Sequence, residues 1–236
     1  MKTFLVIISI FITGALVSVF TYHAPVTTEV TLLRDITDPV MSAPSSNEIF
    51  SLFDFSNKEK WNGAVFRFLD ITDVSLNSVS QISIPPENKW LSNEPERDRQ
   101  IRKFEDSLNS IVSNTENVGK MHSSVYIPLS RELARLSQSK SQERILIVYS
   151  DLMENNPGLS FYRSNEFSIL ENNPDSIRKT FERWQPLPPL SGIEIDIVYH
   201  PKDVSTDAAF KVVSAFYKNM LEQKGARVTI SANLAN

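Results

Sequence analysis

The chain contains no cysteine. That removes disulfide frameworks, thiolate zinc sites, cysteine nucleophiles and a lipid-attachment cysteine together, so any metal must rest on oxygen or imidazole. Glycine is almost as scarce, with six residues: Gly14, Gly63, Gly119, Gly158, Gly192 and Gly225. No G-x-G-x-x-G can be built from them, and Gly119-Lys120 lacks both the earlier glycine and the following hydroxyl of a phosphate-binding loop. Basic charge is in deficit too. With 24 Lys and Arg against 28 Asp and Glu and a net charge of -4, there is no surplus of cations to neutralise phosphates, and nucleic acid is not an expected partner. The sequence also offers no N-x-S/T acceptor, which favours a bacterial envelope protein over a eukaryotic secreted one.

What is present is enough for a filled core. Of 236 residues, 41% are hydrophobic and 14 are Phe, which argues against a disordered or fibrous chain and for one globular domain. Ahead of that domain, Phe4 to Phe20 carries no charge; about 17 residues is the short end of what crosses a hydrocarbon core. Lys2 precedes this run, Tyr22 suits an interface, and no small-x-small cleavage site follows it. The reading is a single-pass anchor, or else a signal segment, over 1–22, a linker over 23–28 and a folded domain over 29–236 outside the cytoplasm.

Within the domain, apolar runs alternate with amphipathic ones. Strands are expected at Glu29 to Arg34, Ala64 to Leu69, Ser78 to Ile84, Arg144 to Ser150, Ile193 to Tyr199 and Arg227 to Ser231. Helices are expected at Arg97 to Ser113, Tyr126 to Gln138, Pro174 to Trp184 and Asp207 to Lys224, the last capped by Ser205 or Thr206 and stopped by Gly225. Charges such as Arg97, Asp98 and Arg99 read as a solvated helix face, and Trp61, Trp90 and Trp184 as core. Strands this apolar need cover on both faces, so the expected fold is a doubly wound, mostly parallel α/β sheet flanked by helices. Function in such sheets belongs beyond the carboxyl ends of the strands.

Two acidic groups stand there. Asp35 follows the first strand and Asp151 the strand ending at Ser150, while Ser123 and Ser124 introduce the helix at Tyr126. Carboxylate and hydroxyl oxygens from separate loops are what a hard divalent cation such as Mg²⁺ accepts. Each of these residues taken singly is equally explained as a turn or helix cap.

The arrangement resembles the von Willebrand factor A-like domains and their metal-ion-dependent adhesion site. Asp35-Ile-Thr37-Asp38-Pro39 is similar to the first element of that site, Ser123-Ser-Val-Tyr-Ile-Pro-Leu129 to the second and Tyr149-Ser-Asp151 to the third, and the likeness runs from about Glu29 to Ser231. The resemblance implies Asp35, Thr37, Ser123 and Asp151 as metal ligands, with Asp38 and Ser124 as additional candidates. Pro39 stands where a second hydroxyl is expected and offers no side-chain oxygen, so the site is degenerate.

The implied function is a membrane-tethered, extracytoplasmic protein-binding module working through a cation at the strand-end face, and not an enzyme. Two alternatives stand beside it. A structural envelope component would use Asp35 and Asp151 only as hydrogen-bond acceptors. A metal-dependent hydrolase would need an acidic residue where Thr37 stands, and a Ser-His-Asp device has only His23, His122 and His200 to draw on, with no G-x-S-x-G turn.

Overall fold

A computed structural model of the chain describes residues 24–36, 45–56, 59–71, 79–113 and 123–234. The run Phe4 to Phe20, the histidines His23 and His122, and the candidate ligands Thr37 and Asp38 lie outside these residues. Among the described residues no helix is long and apolar enough to cross a membrane.

Six strands form the main sheet: β1 (Thr27–Asp35), β2 (Gly63–Ile71), β3 (Val79–Ile84), β4 (Glu143–Tyr149), β7 (Glu194–Val198) and β8 (Arg227–Ser231), in the order β3-β2-β1-β4-β7-β8. Every neighbouring pair is parallel except β2 and β3. The helices are α1 (Ser46–Ser51), α2 (Glu94–Ser113), α3 (Tyr126–Ser137), α4 (Ser164–Asn172), α5 (Pro174–Trp184) and α6 (Val204–Glu222). A two-stranded hairpin, β5 (Asn155–Asn156) with β6 (Leu159–Ser160), occupies a stretch that reads in sequence as a polar loop. The chain is therefore a doubly wound, mostly parallel α/β sheet with one antiparallel edge.

The period of two along each strand divides the core into two. Val30, Leu32, Phe66, Phe68, Ile147 and Tyr149 pack with Ile49 of α1 and Phe104, Leu108 and Val112 of α2. Their neighbours Leu33, Leu146, Val148, Ile195 and Ile197 pack with α3, α4, α5 and α6. Tyr126 stacks on Phe181 with ring centroids 4.0 Å apart, and its hydroxyl donates to the Gln185 carbonyl at 2.5 Å. Central β1 also carries polar groups into the interior. Arg34 forks onto Asp70 at 2.7 and 3.1 Å, while Glu29 and Glu132 bracket Arg135, and Glu132 in turn accepts Arg67 at 2.9 and 3.0 Å. These buried charges are all paired, as burial requires.

Three readings of the sequence need correction. Arg97 is wholly buried, not on a solvated face: its guanidinium donates to the carbonyls of Lys60 at 2.8 Å, Pro85 at 3.0 Å and Asn62. A planar fork of donors can gather three loop carbonyls where no other side chain could. Helix α6 is capped by Asp203, whose Oδ1 accepts the Thr206 amide at 2.8 Å while its own amide donates to the Thr206 hydroxyl oxygen at 3.1 Å. That reciprocal box places the cap one turn before Thr206. Gly225 does stop α6, at φ +97. Trp61 is buried and Trp184 packs on the core, but Trp90 is 78% exposed.

Candidate functional site

Asp35 ends β1 and is 2% exposed. Its Oδ2 accepts two hydroxyls, from Ser123 at 3.0 Å and from Ser150 at 3.0 Å. Central β1 lies beside β4, with Arg34 opposite Tyr149, so parallel pairing delivers Asp35 and Ser150 to the same sheet end. Ser123 is brought there by its bridge to Asn155, with backbone hydrogen bonds of 3.2 and 2.8 Å. The loops after β1 and β4 and the entrance to α3 thus converge on one carboxylate.

Asp151 adjoins this knot through Ser150. Its Oδ1 accepts the Met153 amide at 2.9 Å and its Oδ2 the Tyr162 hydroxyl at 3.3 Å. Leu152, next in line, is buried and left-handed at φ +62, a conformation that costs a branched residue roughly 1–2 kcal/mol. The reversal lets the chain show Asp151 outward and then drive Glu154 inward within three residues. Backbone strain of this kind gathers where a loop is held for a purpose.

Glu154 is fully buried. It accepts four hydrogen bonds: from the Ser124 hydroxyl at 3.0 Å, the Val125 amide at 3.0 Å, the Tyr126 amide at 2.9 Å and the Asn156 side-chain amide at 2.6 Å. Helix α3 has no side-chain cap from Val125, the residue at its N-cap, and Glu154 supplies one from across the fold, an anion against the positive end of the helix. Burial nevertheless dominates and pushes its carboxyl up to about 7, against the opposing hydrogen bonds. The Tyr217 hydroxyl is buried with no hydrogen-bond partner among the described residues, and burial, with Glu154 nearby, raises it well above the ordinary tyrosine value.

Of the sequence candidates, Asp35 and Ser123 are brought into contact, and Asp151 is placed beside them. Ser124 turns instead to Glu154, and Thr37 and Asp38 fall outside the described residues. Ser150 and Glu154 carry no role in the sequence reading. Ser150 sits inside the quoted Tyr149-Ser-Asp151, where a strand-end serine gives no sign of its direction.

The donor set bears on the chemistry. Asp35, Ser123, Ser150 and Asp151 present oxygen only, which fits a hard cation such as Mg²⁺ with water completing the shell. Among the described residues no group of three or more His, Cys, Asp and Glu side chains could hold a metal. A cation at this rim would therefore depend on hydroxyl and water oxygens as well as carboxylates.

No family model and no curated protein matches the sequence. Among solved structures, an aerotolerance-related membrane protein from Bacteroides fragilis with multiple mutations to serines is similar over 89% of this chain and 92% of that one, at 10% identity and a TM-score of 0.38. The strand order, and not this likeness, defines the fold. A mostly parallel six-stranded sheet flanked by helices is the architecture that the A-like resemblance implies.

Proposed function

We propose that this chain is a membrane-tethered, extracytoplasmic binding module of the von Willebrand factor A-like kind, which recognises a protein partner through the Asp35 rim with a divalent cation held there. The observation that carries this reading is the convergence of Ser123 and Ser150 on Asp35 Oδ2 at the carboxyl end of the central strands. A cation such as Mg²⁺ would be held by Asp35, Ser123 and Asp151, with Ser150 as an additional oxygen and Thr37 as the ligand the resemblance adds. It would leave a position for an acidic side chain of the partner, giving affinity and orientation without turnover. Tethering is supported by the uncharged run Phe4 to Phe20 and the single Lys2 before it.

The test is capture of envelope proteins by the domain from Ala24 onward, with and without chelator and with Asp35→Asn. The reading expects one or more partners retained by the wild-type domain in Mg²⁺ and lost in both other arms. Retention that ignores chelator and substitution alike contradicts the cation. A structural envelope component whose rim holds loops only by hydrogen bonds is the second reading, favoured by the two hydroxyls that Asp35 Oδ2 already accepts.

A further inference from the structure

The end of the sheet opposite Asp35 carries two apolar side chains that the core does not use. Trp90 is 78% exposed and Leu91 87%. They follow Asn88-Lys89 in the connection from β3 to α2, and that connection is braced. The Trp90 amide donates to Asn88 Oδ1 at 2.9 Å, the Leu91 amide to the Asn88 carbonyl at 3.0 Å and the Glu87 amide to the Trp61 carbonyl at 2.9 Å. Arg97 holds the Pro85 carbonyl from beneath. A large aromatic and a leucine presented together on a braced turn call for a partner.

The same end receives the chain as it enters the fold. Because β3 runs antiparallel to β2, its last residue Ile84 lies opposite Ala64, and Ala64 lies opposite Thr28 of β1. Gly63 sits between the two segments: a Cβ there would meet Pro86 Cδ and Thr27 Oγ1, each at 2.7 Å. The Val26 amide donates to Asn62 Oδ1 at 3.1 Å, and the Gly63 amide to the Val26 carbonyl at 2.8 Å. Only Thr21 to Val26 separate Phe20, the end of the uncharged run, from β1. Six extended residues reach at most about 20 Å.

We infer that Trp90 and Leu91 insert into the interfacial layer of the bilayer in which Phe4 to Phe20 is anchored, and so hold the domain with its Asp35 rim turned away from the membrane. The inference rests on the anchor reading of Phe4 to Phe20. Indole prefers the headgroup level and leucine the acyl boundary just below, while Lys89 can extend its stem beside them and leave its ammonium among the phosphates. The charges nearby are balanced: Lys60 is paired with Glu94 and Asp98, and Arg99 with Glu96. Attachment is therefore by apolar insertion and does not require anionic lipid. The eight steps of β1 from Thr27 to Asp35, at ~3.3 Å each, put the rim roughly 26 Å further out, clear for a partner.

The absence of cysteine makes the test direct. The full chain carrying Trp90→Cys, or Val204→Cys as the control at the rim end, is labelled with an environment-sensitive fluorophore and reconstituted into phosphatidylcholine vesicles. Val204 is 86% exposed and begins α6, so neither change touches the core. In floated vesicles the label at position 90 is expected to lose about half its emission to nitroxide-bearing lipid and to resist aqueous iodide, with the reverse at position 204. Chain that floats with position 90 open to iodide overturns the inference and leaves the anchor intact. Shielding from iodide without quenching by nitroxide lipid means a second copy covers the loop, and overturns it as well. Chain that does not float overturns the anchor reading, and this inference with it.

Discussion

The Ser123 hydroxyl donates to Asp35 Oδ2 at 3.0 Å across 88 positions of sequence, joining the end of the central strand to the entrance of α3. Ser150 meets the same oxygen from the end of β4. One carboxylate oxygen therefore ties three loops, and its removal should be felt in all of them.

Asp35→Ala leaves two buried hydroxyls without their acceptor. Each such loss costs about 1–3 kcal/mol, so the urea midpoint of the domain should fall clearly while Asp35→Asn, which keeps an acceptor oxygen, stays close to wild type. Equal losses in the two variants would mean that charge, and not hydrogen bonding, holds the knot.

Glu154 makes the stability of the domain depend on pH. Its carboxyl is held up to about 7 against an ordinary 4.5, chiefly by burial. A proton is thus bound more tightly in the folded state. The contribution is fully present below pH 4.5 and is lost as pH rises through about 7. The full excursion is on the order of 3 kcal/mol. Between pH 5 and pH 8 the unfolding free energy of Glu154→Gln should gain on wild type by about that amount. Asp196, also raised by burial and by Glu194, leaves a residual slope of the same sign in the variant. Parallel pH profiles would contradict the assignment.

Arg97 should be among the costliest polar positions to change. Arg97→Met strips the donors from the carbonyls of Lys60, Asn62 and Pro85, and about 3 kcal/mol of stability should go with them. Arg97→Lys should recover less than half, because an ammonium cannot fork to three acceptors in one plane. Chemical denaturation of the three proteins measures both.

Tyr217→Phe should go the other way. The hydroxyl is buried without a partner among the described residues, so deleting it removes a desolvation penalty and leaves the ring contacts with Phe181 and Phe216. A gain of about 1 kcal/mol is expected in thermal or urea unfolding.

Much of the fold was legible because burial on both faces writes itself as apolar runs: Ile145 to Tyr149 is unbroken and Ile193 to Tyr199 is interrupted only by Glu194 and Asp196, and both could be little else but interior strands. Elements that bury one residue left no such mark. Helix α1 buries Ile49 alone and α4 Leu170 alone, and neither was foreseen. Arg97 was misread because a buried cation differs from a solvated one only in the loop carbonyls around it, and those come from Lys60, Asn62 and Pro85. At the rim, Asp35 and Ser123 were visible as polar residues at element ends. Ser150 and Glu154 were not: Ser150 reaches Asp35 only through the parallel pairing of β4 with β1, and the direction of Glu154 follows from the reversed backbone at Leu152, a leucine that nothing in the sequence sets apart from other apolar positions.

The most direct measurement of the proposed function is thermal unfolding of the domain in Mg²⁺ or Mn²⁺ and in chelator, for wild type and Asp35→Asn. A cation at a hundred times its dissociation constant should stabilise the wild-type domain by ~2.7 kcal/mol, and the substitution should erase that gain. A wild-type domain that melts at the same temperature with and without the ions, or a gain that survives in Asp35→Asn, contradicts a cation at this rim.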